Sequence, residues 1–336
     1  MKQGRAELLS LDYLGIARLL REMPPVDLAI AQLSPPDAEG WCSAGLASDF
    51  MPLVWSRARR RVAHINPLMP RTHGSFRVHM SELETAVEAE APLLDFAEAP
   101  CGDTETRIGA HVAALVRDGD SLQFGVGAVP SALAGALCAH RRLRIHGGMV
   151  SAALQKLWEA GALDRDATIT TGVVLGDAAF RDFAARLERL WLTDVTHTHD
   201  PARLAAIPRF IAINAAVEVD LFGQVNAERA GGTIQAGAGG LPAFAQGALA
   251  SPGGRLLICV TATARKGSVS RIVPALDHNA LCTLPRALAD AVVTEHGVAE
   301  LRGLSLDARA QALIGIAAPE HRTALSLAWE AMRSRL

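Results

Sequence analysis

The stretch of sequence that decides the fold is INAAVEVDLFGQVNAE, residues 213–228. With the Phe-Ile-Ala that precedes it, it begins as an almost wholly apolar run, which is typical of a central strand covered on both faces. Two carboxylates, Glu218 and Asp220, stand at the end of this run, before the turn residues Phe222 and Gly223. Residues two apart on a strand point to the same face. The pair is therefore either a surface-facing acidic pair on an edge strand, or it contains a nucleophile or general base at the end of a central strand.

Apolar runs of strand length alternate with helical patterns along most of the chain. We predict helices over 6–22, 107–116, 131–140, 151–163, 178–191, 305–316 and 319–335. We predict strands over 26–33, 62–66, 121–127, 143–149, 167–174, 210–221, 255–263, 270–276 and 290–295. Strands separated by helices indicate an α/β protein with mainly parallel sheets. Acidic and turn residues gather at 90–105, which predicts a boundary between domains 1–104 and 105–336.

The composition is that of an ordinary soluble protein and argues against several function classes. Of 336 residues, 50% are hydrophobic, and the net charge of −2 gives no overall attraction to nucleic acid or an anionic membrane. Glu7 and Asp12 interrupt the N-terminus, unlike a signal peptide, and no apolar stretch reaches about 18 residues. Five cysteines without CxxC spacing predict reduced thiols. We expect a cytoplasmic protein with neither a nucleic-acid nor a membrane partner.

Three glycine-rich segments follow predicted strands and are candidate anion sites. QFGVGAVPSAL, residues 123–133, either cradles a phosphate or forms a tight turn, and it matches neither GxGxxG nor the P-loop. GGTIQAGAGGLPAF, residues 231–244, allows a backbone to approach a ligand closely, or forms a flexible turn. TATARKGSVSRI, residues 261–272, contains Arg265, Lys266 and Arg271 and suits a phosphate or a solvated basic loop.

The histidines offer a competing metal hypothesis. THTHDP, residues 196–201, contains His197 and His199 in an HxHxD-like pattern, yet no further group of ligands accompanies it. We therefore predict a loop or hydrogen-bonding role for both and no metal site, and we interpret His146 as a strand-end residue. The chain has no GxSxG elbow, so a serine hydrolase of that type is not supported.

Taken together, the sequence resembles the acetyl-CoA hydrolase/transferase family, which includes 4-hydroxybutyrate and other acyl-CoA:carboxylate CoA-transferases. Seven stretches occur in the family's order, from about residue 24 almost to the C-terminus, and residues 4–22 look like the family's opening segment. The seven stretches are QLSPPDAEGWCSAG, NPLMPRTHGS, LQFGVGAVPSAL, INAAVEVDLFGQVNAE, GAGGLPAF, KGSVSRIVP and VVTEHGVAELRG.

The resemblance implies a CoA-transferase-like (NagB/RpiA-like) fold of two related α/β domains, with the active site between them. Glu218 matches the family's catalytic glutamate, which attacks acyl-CoA and passes through an anhydride to a glutamyl-CoA thioester in ping-pong fashion. Gly237, Gly239 and Gly240 match the loop whose N–H groups stabilise the oxyanion. Asp220 is then expected to accept hydrogen bonds and to shape the turn.

The resemblance also implies the ligands. Gly125 and Gly127 match a loop near the active site, and Lys266 and Arg271 match a basic segment that meets the CoA phosphates. Coenzyme A is then a substrate rather than a permanently bound cofactor, and its partner is a small carboxylate such as acetate, butyrate or 4-hydroxybutyrate. A homodimer or homotetramer is expected. The alternatives are an acetyl-CoA hydrolase and a non-catalytic CoA-binding subunit.

The chain departs from the family pattern at three places. Leu241 stands where relatives carry Gln, and Gly148-Met149 stands where they tend to carry Glu-Met. Relatives also have a βα segment before the equivalent of residue 4. Without that segment, the sheet containing residues 26–33 is expected to expose apolar surface and an unpaired edge.

Overall fold

Helices and short strands alternate throughout the computed structural model, which describes residues 7–98 and 100–335. The helices are α1 (Tyr13–Glu22), α2 (Met51–Trp55), α3 (Asp103–Ala113), α4 (Ala128–Ala136), α5 (Ala152–Glu159), α6 (Ala178–Arg186), α7 (Val195–Thr198), α8 (Pro201–Ala206), α9 (Leu241–Ala250), α10 (Leu306–Ile316) and α11 (Pro319–Arg333), with 3-10 turns at Met80–Glu82 and Leu137–Ala139. The strands are β1 (Leu28–Leu33), β2 (Trp41–Ser43), β3 (Arg60–Ile65), β4 (Arg77–His79), β5 (Thr85–Glu88), β6 (Ser121–Phe124), β7 (Arg144–Ile145), β8 (Met149–Val150), β9 (Ile169–Thr171), β10 (Val173–Val174), β11 (Leu190–Leu192), β12 (Phe210–Ala215), β13 (Glu218–Asp220), β14 (Val225–Asn226), β15 (Arg229–Ala230), β16 (Thr233–Ile234), β17 (Arg255–Cys259), β18 (Thr263–Ala264), β19 (Val269–Ser270), β20 (Ile272–Val273), β21 (Ala291–Thr294) and β22 (Gly297–Glu300).

A three-stranded parallel sheet, in the order β1-β3-β5, organises the N-terminal part of the chain. Leu33 and Ile65 on its inner face are buried in one core with Trp55. Leu28 and Ile30, on the other face of the edge strand β1, are 43% and 61% exposed. The unpaired edge and the apolar surface expected for this sheet are therefore present.

A six-stranded sheet, in the order β22-β21-β17-β12-β6-β7, forms the centre of the remainder. All neighbouring strands run parallel except the antiparallel pair β21 and β22. On the central strand β12, Ile211 and Ile213 point into one buried core, whereas Phe210 and Ala212 point into a second core. Both faces are covered, which explains why the sequence there is a continuous apolar run rather than an alternating one.

The single strand predicted over 210–221 is broken near its middle. β12 ends at Ala215, and the N–H of Ala216 still reaches the carbonyl of Cys259 at 2.9 Å. The N–H of Val217 turns instead to the carbonyl of Asn226 at 2.8 Å. β13 then joins a separate small sheet, antiparallel to β14 and parallel to β20. The prediction was wrong because an apolar run indicates burial but not the neighbour with which each residue pairs.

Two predicted helices are also too long. α6 ends at Arg186, and residues 190 and 191 of the predicted helix belong instead to β11, which pairs with β9. α1 begins only at Tyr13 because the Asp12 carboxylate accepts a hydrogen bond from the Gly15 N–H at 2.7 Å and caps the helix. Residues 4–6 of the segment predicted to be helical lie outside the described residues. The boundary between 104 and 105 stays a prediction.

Candidate active site

Glu218 lies on a tight hairpin just beyond the carboxyl end of the central strand. β13 and β14 pair so that Glu218 is opposite Asn226. The Asn226 side-chain amide donates to Glu218 Oε1 at 2.9 Å. Asn226 Oδ1 accepts the N–H groups of Glu228 and Arg229 at 3.1 and 3.0 Å, which fixes which way the amide points. The carboxylate is therefore held by one oriented donor while it stays partly exposed.

Asp220 has a different environment, although it lies only two residues away. It is fully buried, and its carboxylate accepts hydrogen bonds from the N–H groups of Phe222, Gln224 and Leu276 and from the Gln224 side-chain amide. Burial raises the pKa of Asp220 above its ordinary value, and these hydrogen bonds oppose the rise. The bonds close the turn at Gly223, whose φ is +87°. Asp220 thus shapes the turn, as expected.

Glu218 lies on the wall of a cavity of about 860 Å³ that arginines line. Arg229 is tied down, because its guanidinium donates to the carbonyl of Gly232 at 2.9 Å and also to that of Asn279. Arg265 and Arg271 also line the cavity. Within residues 7–98 and 100–335 their guanidinium groups have neither a hydrogen-bond acceptor nor a carboxylate at ion-pair distance. The cavity therefore places a carboxylate beside two cations that are available to an anionic ligand.

The basic segment contributes to this wall only in part. Arg265 and Lys266 form a turn in which both residues have positive φ, +49° and +58°. Of the two predicted phosphate contacts, Arg271 lies on the cavity wall, whereas Lys266 is exposed and is not among the lining residues. Arg265, the residue before Lys266, lines the cavity instead.

The loop with Gly125 and Gly127 lies at the same edge of the sheet as the Glu218 hairpin. Phe124, the last residue of β6, pairs with Ile213 of β12, and both strands run parallel. The loop thus follows the carboxyl end of one strand while the chain to Glu218 follows that of its neighbour, the edge at which open α/β sheets bind ligands. A Cβ added to either glycine would meet no atom within 4 Å, so open space lies before the loop. Neither glycine lines the Glu218 cavity itself.

The segment from Gly237 to Gly240 leads from the cavity wall into α9. Gln235 lines the cavity, and the glycines follow within five residues, although none of them is among the lining residues. The N–H groups of Gly237, Ala238 and Gly240 donate no hydrogen bond to any residue that the structure describes. Unbonded N–H groups before a helix N-terminus are suited to an anion.

The histidines of the HxHxD pattern lie inside the fold. His146 and His197 have stacked rings with centroids 6.2 Å apart, and His199 is 1% exposed. Burial lowers the pKa of His146 and of His199 to about 4. In the described part of the chain, no three His, Cys, Asp or Glu side chains converge as metal ligands. His199 Nδ1 instead lies 2.8 Å from the Thr198 hydroxyl, in agreement with a hydrogen-bonding role.

Sequence reasoning missed three residues of this wall, namely Asn226, Arg229 and Gln235. The first could have been found, because the turn residues of DLFGQ predict a hairpin that brings Glu218 opposite a residue a few positions after the glycine. The positions of Arg229 and Gln235 depend on the short hairpin β15–β16, whose exposed strands carry no apolar pattern. No sequence signal for them was available.

The fold and the site define a protein of the CoA-transferase class. The crystal structure of 4-hydroxybutyrate CoA-transferase from Porphyromonas gingivalis matches with a TM-score of 0.85 and 33% identity, covering 96% of this chain and 78% of that one. The crystal structure of RipA from Yersinia pestis matches with a TM-score of 0.92 and 31% identity, covering 99% of this chain and 77% of that one.

The sequence comparisons agree. The profile described as acetyl-CoA hydrolase/transferase C-terminal domain matches residues 176–328. The 4-hydroxybutyrate coenzyme A transferase of Clostridium kluyveri is 37% identical over 332 residues, which are 97% of this chain and 77% of that protein. The succinyl-CoA:cyclohexane-1-carboxylate CoA transferase of Geobacter metallireducens is 34% identical, over 97% of this chain and 76% of its own length. The chain therefore belongs to the acetyl-CoA hydrolase/transferase family, and the predicted family and fold are confirmed.

No helix among the described residues has both the length and the apolar character that a bilayer crossing needs.

Proposed function

We propose that this protein transfers coenzyme A between an acyl-CoA and a small carboxylate, of the acetate, butyrate or 4-hydroxybutyrate type, through a glutamyl-CoA thioester on Glu218. The observation that carries the proposal is the Glu218 carboxylate itself. It is partly exposed, oriented by Asn226 through one oxygen, and set on a cavity wall with Arg265 and Arg271. Relatives named as CoA transferases that act on 4-hydroxybutyrate, on succinyl-CoA with cyclohexane-1-carboxylate and on butyryl-CoA with acetate support it.

The chemistry needs four bond exchanges. A Glu218 oxygen attacks the thioester carbonyl, the C–S bond breaks, and CoA thiolate leaves an acyl-glutamyl anhydride. The thiolate then attacks the glutamyl carbonyl, the bond to the acyl carboxylate breaks, and the free acid departs. A second carboxylate attacks the glutamyl thioester, and the expelled thiolate takes the new acyl group and frees Glu218. A carboxylate suits both roles because it is a nucleophile when free and a leaving group when acylated.

Asn226 would orient the nucleophile. Its amide donates to Oε1, while no described residue donates a hydrogen bond to Oε2, so one oxygen is held and the other can attack. Holding a reacting group near its attack geometry is worth several kcal/mol of a barrier. Asn226 is thereby the residue through which the hairpin acts on the reaction.

The cations and the glycine segments would bind the rest of the substrate. Arg265 and Arg271 suit the phosphates of coenzyme A, because guanidinium groups bind phosphate oxygens in pairs; Lys266, in the same turn, is an outer contact. The N–H groups of Gly237–Gly240 suit the oxyanion of the attacked thioester. Gly125 and Gly127 suit the approach of the acyl or acceptor group from the open side of the sheet edge.

Hydrolysis is the second candidate. The cavity that contains Glu218 is large and partly polar, so water can reach a glutamyl anhydride or thioester unless substrate excludes it. One relative, from Candida albicans, is named acetyl-CoA hydrolase and is 29% identical over 57% of this chain. CoA release that does not depend on an acceptor acid would favour hydrolysis over transfer.

A trapping experiment tests the proposal. The protein is incubated with butyryl-CoA, treated with hydroxylamine, and digested for mass spectrometry. We expect a hydroxamate on Glu218, none in Glu218→Gln, and the same yield as wild type in Glu330→Gln, an exposed control on α11. Turnover without label, or label on another carboxylate, contradicts the mechanism.

The assembly and setting are also proposed from the family. We expect a homodimer or homotetramer, no permanently bound cofactor, and a cytoplasmic location. Light scattering coupled to gel filtration measures the first, and the ultraviolet spectrum of the purified protein reports on the second.

A further inference from the structure

The N-terminus of helix α1 is bonded to the glycine segment that leads into α9. The N–H of Tyr13 is one of the first-turn groups that a helix cannot satisfy internally, and it donates to the carbonyl of Gly239 at 3.0 Å. The Tyr13 ring packs edge-on against Phe50 with centroids 5.0 Å apart, and against His199 at 4.9 Å. Residues more than 200 positions apart in sequence thus meet behind one short loop.

His199 fills the space behind the same loop. Its ring lies so close to Gly240 that a Cβ there would be 2.2 Å from Nε2, and a Cβ on Gly148 would be 2.9 Å from Cε1. Phe244 of α9 covers another side, with ring centroids 4.5 Å apart. Two glycines in separate elements therefore make room for one buried imidazole, which explains why a small residue stands at position 148.

The Gly237–Gly240 loop has few interactions of its own that fix its conformation. Gly237, Ala238 and Gly240 donate no hydrogen bond to a described residue, and Gly239 has a φ of +59°. Its conformation must therefore be set by the groups that pack against it. Those groups include the ring and the N–H of Tyr13, the imidazole of His199 and the ring of Phe244.

We infer that Tyr13 and His199 are positioning residues that fix the Gly237–Gly240 segment in the geometry that stabilises the oxyanion. The inference rests on the proposed function, in which that segment faces the thioester. Neither side chain need touch substrate; each acts through the backbone of the loop. Helix α1 is then part of the catalytic apparatus rather than a covering element.

The test is a rescue experiment with butyryl-CoA and acetate as substrates. Gly240→Ala forces a Cβ onto His199 Nε2, and we expect kcat to fall on the order of 10²-fold with KM for butyryl-CoA nearly unchanged. His199→Ala alone removes the ring that supports the loop, and kcat should fall on the order of tenfold. In the double variant the clash with the imidazole is gone, although the Cβ still lies 3.0 Å from Phe244 Cε2, so kcat should return to the level of His199→Ala rather than show both losses. A His199→Ala variant with the kcat of wild type overturns the inference, as does a double variant no faster than Gly240→Ala.

Gly247, in the helix α9 that Gly240 precedes, provides a matched control. Gly247→Ala brings a Cβ within 2.3 Å of Leu204, away from His199, so His199→Ala is not expected to rescue it. Rescue of both glycine variants would mean that His199→Ala relieves strain generally, which also overturns the inference. Urea unfolding of each variant separates lost stability from lost rate.

Tyr13 can be observed selectively, because it is the one tyrosine in the chain. Protein labelled with 3-fluorotyrosine gives a single ¹⁹F resonance, which should shift when butyryl-CoA forms the Glu218 adduct and stay unshifted in Glu218→Gln. Tyr13→Phe keeps the ring and should keep kcat, whereas Tyr13→Ala should lower kcat on the order of tenfold or more. If kcat of Tyr13→Ala equals that of wild type, Tyr13 has no positioning role.

The two hypotheses fail in different ways. Absence of a Glu218 adduct in wild type contradicts the proposed mechanism. Coupling between Gly240→Ala and His199→Ala in unfolding free energy but not in kcat would instead show a contact that is only structural, and would overturn the positioning role alone.

Discussion

At the scale of single residues, the two carboxylates on one short strand differ in burial and in hydrogen bonding. Asp220 is buried and accepts four hydrogen bonds, so it is committed to structure. Glu218 accepts one hydrogen bond from a side chain and keeps an open side. A nucleophilic carboxylate must be accessible to substrate and correctly oriented, and it must keep an oxygen that is not occupied by hydrogen bonds. Of the two carboxylates, only Glu218 meets these conditions.

Asn226 offers the most direct test at this scale. Asn226→Ala removes the side-chain amide that donates to Glu218 Oε1, and kcat should fall about 10- to 100-fold with little change in KM. Asn226→Asp is expected to be slower still, because it sets a like charge against the nucleophile. Steady-state kinetics with butyryl-CoA and acetate measures both. Asn279→Ala, on the same wall, is the control, and equal losses in all three variants would contradict a specific role.

The turn closed by Asp220 gives a second test. In Asp220→Asn, one carboxylate oxygen that accepts the N–H of Leu276 and the Gln224 amide becomes a donor itself, so donors face donors. The free energy of unfolding should fall by about 1–3 kcal/mol, the usual cost of unpaired buried polar groups. Urea unfolding measures it, and Asp277→Asn, at an exposed position on the cavity wall, should change it little. A fall as large in the control would sink this interpretation of the turn.

At the scale of elements, the decisive event is the break between β12 and β13. β12 is held in the sheet by β6 and β17, and the chain leaves at Ala216 to build a hairpin at the carboxyl edge. The loops that follow β6 and β12 open at that edge, which is why the Glu218 hairpin and the Gly125 loop are neighbours. A central strand with a short hairpin at its end holds the Glu218 carboxylate without burying it.

The sequence predicted which segments form helices and strands better than it predicted where a strand ends and with which neighbour it pairs. The alternation of strands and helices and the double coverage of β12 followed from apolar patterns, whereas the choice of Glu218 came from the family resemblance and stays a prediction. The break at Ala216 was not predicted, because it depends on pairing partners that an apolar run does not identify, Asn226 nearby and strands 40 or more residues away. Arg265, rather than Lys266, reaches the cavity because both residues adopt positive φ in one tight turn, which their side chains alone do not predict.

At the scale of the whole molecule, buried ionisable groups make stability depend on pH. Burial lowers the pKa of His146 and of His199 from 6.5 to about 4, and raises that of Asp49 from 3.8 to about 6. Stability from each histidine is present above pH 6.5 and is lost as the pH falls through about 4. The contribution of Asp49 has the opposite sign, since it is present below 3.8 and lost as the pH rises through 6.

We therefore expect net acid sensitivity between pH 6.5 and 4, because two histidines outweigh one aspartate. Each histidine contributes at most about 3 kcal/mol over that interval. His146→Asn should flatten the curve of unfolding free energy against pH, and Asp49→Asn should steepen it. Urea titrations at several pH values measure both, and parallel curves for the three proteins would rule out these groups as the cause.

The hairpin that carries Glu218 also has a consequence for the order in which the molecule folds. Glu218 and Asn226 are eight residues apart, so bringing them together closes a short loop at small entropic cost. The parallel neighbours β6, β17 and β21 must instead find β12 and one another over dozens of residues, and such distant pairings are slow. Glu218 and the Asn226 amide are therefore expected to come together early from local chain, whereas Arg271 is expected to join them with the later pairing of β13 and β20. On this argument from loop length, Glu218 is placed first and enclosed last.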